Sequence, residues 1–226
     1  EQALGVAIPR NARTIRNLLM GSEFVLDHVV HFYQQQAPDW IDPLAALSAD
    51  PTATSALARS ISGRPGANDA YFRDARERLS TFVGSGGAGP FVDDGPGDPA
   101  SSSPELALLV MAHSLEALDW QRRIVQLQTL LGGKSPHPQT YLVGGAAVPV
   151  PWGGPPPGLP GQHPNQIDPR APSALSAEGF ALMTAIAAEA SAFVEQVYVP
   201  DVMAIARANP AWSRLGRGFA NYLAFG

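Results

Sequence analysis

The chain contains no cysteine. That excludes disulfides, iron–sulfur ligation and thiolate metal sites built from its own residues. Lysine is nearly absent too: Lys134 stands alone, and fourteen arginines complete the 15 basic residues. Against 20 acidic residues the formal net charge is -5, so there is no basic field for nucleic acid. Charged residues make up 15% of the sequence, below the usual quarter or so. Either an alanine-rich composition dilutes charge, or some surface is reserved for a subunit interface. By inspection, no run approaches the roughly 20 apolar residues that span a bilayer. No basic segment followed by an apolar one opens the chain in the manner of a secretory signal. Starting at Glu1 without methionine and ending on Phe225-Gly226, the sequence reads as part of a longer polypeptide.

What is present is mostly helical. Pro9 suits a first helical turn, where its missing N–H is not needed. Ile15, Leu18, Leu19, Ser22, Val25, Leu26, Val29 and Phe32 follow at helical spacing. This helix is predicted to reach about Gln36, because Pro38 pushes the preceding residue out of the α region. Short helices are expected near Pro43 to Leu47 and over Asp69 to Leu79. Ser103-Pro104-Glu105 combines a cap, a first-turn proline and an acid near the positive end of the dipole. It opens a stripe of Leu106, Leu109, Val110, His113, Ala117, Trp120, Ile124, Leu127 and Leu131, closed by Gly132-Gly133. Tyr141 to Val150 has the character of a short hairpin. A last helix starts at Ser176 with the stripe Phe180, Met183, Ile186, Ala190, Phe193 and Val197. Pro200 is expected to break or kink it before a short helix to about Asn209. Two segments lack such patterns. Residues 84–103 (GSGGAGPFVDDGPGDPASSS) read as a linker or a surface excursion, and the excursion is preferred. Residues 151–172 read as a proline-rich loop.

Few residues carry visible chemistry. His28 and His31, with Asp27, lie on adjacent helical faces; they either share a metal or bond to neighbouring helices. His113 on its apolar stripe reads as a satisfied core histidine, and His163 sits in the proline-rich loop. His137 stands between Pro136 and Pro138 directly after a glycine-capped helix end. Its backbone is stiff and its ring is aimed by the fold, the setting in which functional side chains concentrate; an incidental histidine in a tight turn is the competing reading. GSGGAG lacks the preceding strand and following helix of a dinucleotide loop.

Three blocks occur in order: GVAIPRNARTIRNLLMGSEFVLDHVVHFY with APDW, HSLEALDWQRRIVQLQTLLGGKSPHPQTYLVGG, and FVEQVYVPDVMAIARANPAW ending in NYLAFG. Together they resemble the large subunit of nickel–iron hydrogenases. The resemblance implies a mainly α fold: a long-helix bundle with a small β element and long Pro/Gly-rich loops. It further implies that residues 1–226 are an internal segment of a single large-subunit domain. In that family nickel and iron lie between two C-x-x-C pairs, one near each end of the polypeptide, and the iron carries cyanide and carbon monoxide. A small subunit with iron–sulfur clusters carries electrons away as dihydrogen is reversibly split into protons and electrons. Both cysteine pairs would fall outside this chain, so it ligates no metal itself and holds no catalytic residue.

By the same resemblance, His137 lies near the small subunit and the cluster closest to the metals. Gln34, Gln35 and Gln36 replace the histidines often found after HFY, as in a divergent subgroup. Higher oligomers of the heterodimer, and a cytoplasmic or peripherally membrane-associated location, are expected. Two other readings remain: a cysteine-free, non-catalytic relative akin to the quinone-module subunits of respiratory complex I, and a stand-alone helical binding module.

Overall fold

Helix α1 (Arg10–Val30) begins directly after Pro9, as its sequence dictates. The structure, a computed structural model, describes residues 1–87, 102–147 and 176–210. The proline-rich loop 151–172 with His163, most of the 84–103 excursion and the end of the third block lie outside those residues. Five further helices follow: α2 (Pro51–Ile61), α3 (Asp69–Gly84), α4 (Pro104–Gly132), α5 (Ala177–Phe193) and α6 (Val199–Ala208). A two-stranded antiparallel hairpin pairs β1 (Tyr141–Leu142) with β2 (Gly145–Ala146). The mainly helical expectation holds. Contacts within the chain group into two compact units: residues 1–29 with 118–192, and residues 30–117 with 193–226.

The first unit is built on α1, the second half of α4, and α5. Leu19, Leu127, Leu131 and Ile186 form its buried cluster, flanked by Ile15, Leu130, Ala146, Leu182 and Met183. Each of the four buried side chains contributes about 1.5–3 kcal/mol of burial. The hairpin is tied to α1 by Arg16. Its Nε and Nη2 donate to the Gly145 carbonyl (3.2 and 2.8 Å) and Nη2 also to that of Leu142 (2.6 Å). The same guanidinium grips both oxygens of Glu1 at 2.9 and 2.6 Å. Two stripe residues depart from expectation: Leu18 and Phe180 are exposed. Helical spacing marks a face, but only the packing partners decide how wide the buried part of it is.

The second unit contains an element that its sequence does not announce. Asp50 caps α2 by accepting from Thr52 N at 3.0 Å, yet the buried face of this helix is Pro51, Thr54, Ser55 and Ala58. Ser55 Oγ donates to the Ala67 carbonyl at 2.9 Å, so a small polar face is satisfied internally and no apolar stripe exists to be read. Asn68 caps α3, which packs on α2 and runs one turn beyond its expected end. All nine stripe residues of α4, in both units, are buried.

Both helices that were expected to meet proline pass through π turns. After Val30 the chain continues as a π turn, His31–Gln36, and a 3-10 turn that accommodates Pro38. Phe193 leads into a second π turn, Val194–Tyr198, and α6 starts immediately with Pro200 in its first turn. Pro200 therefore does not end the helix. The wide turn before it removes the need for the missing N–H and relieves the clash with the preceding carbonyl. Ala177–Ala208 is consequently one helical stretch, long and apolar enough by length and composition to cross a membrane. Glu178, Glu189 and Glu195 interrupt it, so it is not the unbroken apolar run that a bilayer-spanning sequence would show. Its Leu182, Met183 and Ile186 pack into the core of the first unit.

Candidate functional site

His137 is presented by a turn that the first unit holds at several points. Gly133, at φ 74°, closes α4 with its N–H on the Thr129 carbonyl at 2.8 Å. Gln139 N returns to the Gly132 carbonyl at 2.9 Å, and Thr140 Oγ1 donates to that of Leu131 at 2.9 Å. Ser135 Oγ donates to Gln128 Oε1, while Gln128 Nε2 donates to Glu23 Oε2. Pro138 lies so close to Gly132 that a Cβ added there would sit 2.9 Å from the proline Cβ. Within this frame the Ser135-Pro136 bond is cis and His137 adopts φ 65°. The left-handed region is uncommon outside glycine and costs of order 1–3 kcal/mol unless surroundings over-determine it. The flanking prolines foretold stiffness, but not that the histidine itself carries the unusual dihedral. The residue is exposed.

The second unit holds a buried polar centre. Asp201, in α6, is fully enclosed, at 0% exposure. Its Oδ2 accepts from Tyr33 Oη at 2.7 Å and faces His113 Nδ1 at 2.8 Å. Tyr33 reaches it because the first π turn buries Phe32 and Tyr33 together, and edge-on contacts with Phe193 and Tyr198 fix the rings. Burial first, and then the Asp201 charge, push the Tyr33 phenol well above its ordinary range, so it remains a donor. In the same unit, Arg64 Nη2 bonds Glu116 Oε1 and Tyr71 Oη donates to Glu116 Oε2 at 2.9 Å. The guanidinium also lies over the Tyr71 ring, 5.8 Å from its centroid. Burial is the largest single influence and opposes the Arg64 charge, but the bond and charge of Glu116 together with Tyr71 outweigh it and the guanidinium is held charged. His113 is thus a core histidine whose Nδ1 is satisfied. Its Nε2 has no partner among the described residues.

With no cysteine, the chain offers no thiolate to a nickel–iron pair. Among the described residues no three His, Asp or Glu side chains group so as to hold a metal ion. His28 and His31 are exposed; the His28 ring packs edge-on against Phe24 at 4.5 Å. The residues present offer no donor set that fits a nickel–iron centre.

The fold class is shared with a solved metalloenzyme. The structure of the Ni-Fe-Se hydrogenase from D. vulgaris Hildenborough matches 89% of this chain and 28% of its own, with a TM-score of 0.54 at 24% identity. At that identity the likeness speaks for the fold alone. Sequence carries the family. The pattern of the nickel-dependent hydrogenases matches residues 1–226, and the chain belongs to that family. The uptake hydrogenase large subunit of Rhizobium leguminosarum bv. viciae is 44% identical over 100% of this chain and 36% of its own length. The hydrogenase-1 large chain of Escherichia coli (strain K12) is 38% identical over 98% of the chain and 35% of its own. The chain therefore spans about a third of the length of the curated relatives it matches.

Proposed function

We propose that this chain is an internal scaffold segment of one large-subunit domain of a nickel–iron hydrogenase, which in complete form reversibly oxidises dihydrogen to protons and electrons. The family match along all 226 residues carries this reading. The metals, with cyanide and carbon monoxide on the iron, would be held by cysteines outside this chain. The segment contributes packed helices around them rather than ligands. An iron–sulfur small subunit would receive the electrons, with His137 close to its nearest cluster; the exposed, rigidly framed ring supports that placement. Heterodimers would assemble further, in the cytoplasm or peripherally on a membrane.

The test is production of the full-length protein with its cognate small subunit. Hydrogen-dependent reduction of an artificial acceptor and stoichiometric nickel are expected, together with a C-x-x-C pair on each side of the present residues. A full-length sequence without those pairs, or a correctly assembled, nickel-replete complex inert to dihydrogen, would overturn the proposal.

A further inference from the structure

Among the described residues of the second unit, three polar atoms are buried without a protein partner: Arg64 Nη1, His113 Nε2 and Asp201 Oδ1. All three residues line one cavity of about 10 Å³, closed by apolar groups including Ala58 and Ala67. Two of the side chains are almost fully enclosed, His113 at 5% and Asp201 at 0% exposure. Orphaned buried donors and acceptors are rare in native proteins, and three around one void require an occupant.

The size and charge of the void select that occupant. Its volume is that of a single water. A metal or ammonium ion would face the Arg64 guanidinium, which Glu116 and Tyr71 together keep charged. A small anion would face the Asp201 carboxylate. A neutral molecule that both donates and accepts remains.

We propose that this cavity is a binding site for one structural water, and that the water bridges Arg64, His113 and Asp201. The hydrogen-bond roles close without remainder. Asp201 Oδ2 accepts from Tyr33 at 2.7 Å, and the His113 nitrogen at 2.8 Å from that oxygen must likewise donate. Neutral His113 is then the Nδ1–H tautomer, with a lone pair on Nε2. The water accepts from Arg64 Nη1 and donates its two protons to Asp201 Oδ1 and His113 Nε2. Ser62, also on the wall, is already engaged: its Oγ donates to the Gln196 carbonyl at 2.6 Å and accepts from Arg64 N at 3.3 Å. The bridge joins Tyr33, Asp201 and His113 to Arg64, Glu116 and Tyr71 in one network. That network links α2's exit, α3, α4 and α6 within the unit.

The test is a crystal structure of the full-length protein at a resolution that shows ordered water, for the wild type and for Arg64→Met. In the wild type a single full-occupancy peak is expected within about 2.7–3.2 Å of all three atoms. In the variant, whose shorter, unbranched side chain keeps the apolar stem but removes the donor, the peak should be lost or displaced. A wild-type crystal soaked in rubidium should show no anomalous signal there. An empty wild-type cavity, a rubidium peak, or a water unmoved by Arg64→Met overturns the proposal. Neutron diffraction of the wild type decides the tautomer without any variant: deuterium on His113 Nδ1 and none on Nε2 is expected, and the reverse overturns it.

Discussion

Asp201 is the residue on which the second unit turns, because one carboxylate oxygen terminates hydrogen bonds from two aromatic side chains. Replacing it with alanine strands the Tyr33 hydroxyl and His113 Nδ1 in a water-poor interior. The expected cost is about 2–6 kcal/mol, the sum of two neutral buried groups left unsatisfied at about 1–3 kcal/mol each. Tyr33→Phe removes a single bond to a charged acceptor and should cost less, about 1.5–3 kcal/mol. Thermal or chemical denaturation of the full-length protein checks the order; equal losses would show that packing, not the carboxylate, dominates. His137 carries a different kind of prediction, resting on its proposed place beside an iron–sulfur cluster. His137→Ala and His137→Phe should both leave metal content intact while shifting the midpoint potential of the nearest cluster, since hydrogen bonds to sulfur tune that potential. Wild-type potentials and turnover in both variants would make the histidine incidental to the turn.

At the scale of elements, the junction of α4 with the His137 turn depends on a close approach. A Cβ at Gly132 would meet Pro138 Cβ at 2.9 Å and Leu19 Cδ2 at 3.3 Å. Gly132→Ala gains about 1 kcal/mol of helix propensity, and overpacking against a rigid ring costs about 1–3 kcal/mol. A net loss of stability with a displaced turn is expected, read from the thermal midpoint and from hydrogen exchange at Gln139 N. A more stable variant would show that the turn gives way freely. The clasp between α1 and the hairpin predicts a pH dependence. The bond from Arg16, followed by that from Gly144 N, lowers the Glu1 carboxyl from 4.5 to about 2. A depressed carboxyl stabilises the fold above its unfolded pKa, and this contribution fades as pH falls through the folded value. The difference in thermal midpoint between wild type and Glu1→Gln should therefore be full near neutrality, shrink below pH 4.5 and vanish only below about pH 2. A difference that does not change over that range would remove the clasp as its cause.

For the molecule as a whole, several large apolar side chains stand in the open, Leu4 at 72%, Val143 at 71%, and Phe24 and Phe180 at 66% exposure. Scattered singly these would be ordinary, but the chain also has few charges to keep it apart from its copies. Produced by itself, the 226-residue chain should self-associate, and sedimentation should detect oligomers or aggregates. A monodisperse monomer with a cooperative transition would favour a stand-alone binding module. Sequence alone determined the long helices, since caps, glycine stops and 3.6-residue periodicity are local; the α4 stripe was legible to its last residue. It also determined that thiolate metal chemistry has no place here, and where a rigid histidine turn falls. Tertiary structure decided the rest. Helix α2 hides a polar face that only Ala67 and its neighbours satisfy, and the π turns that carry the chain past Pro38 and Pro200 have no periodic signature. Asp201 lies 88 residues from His113 and 168 from Tyr33. Nothing local in a sequence reports a hydrogen bond over such separations, because it is the packing of distant helices that brings the three side chains to one oxygen.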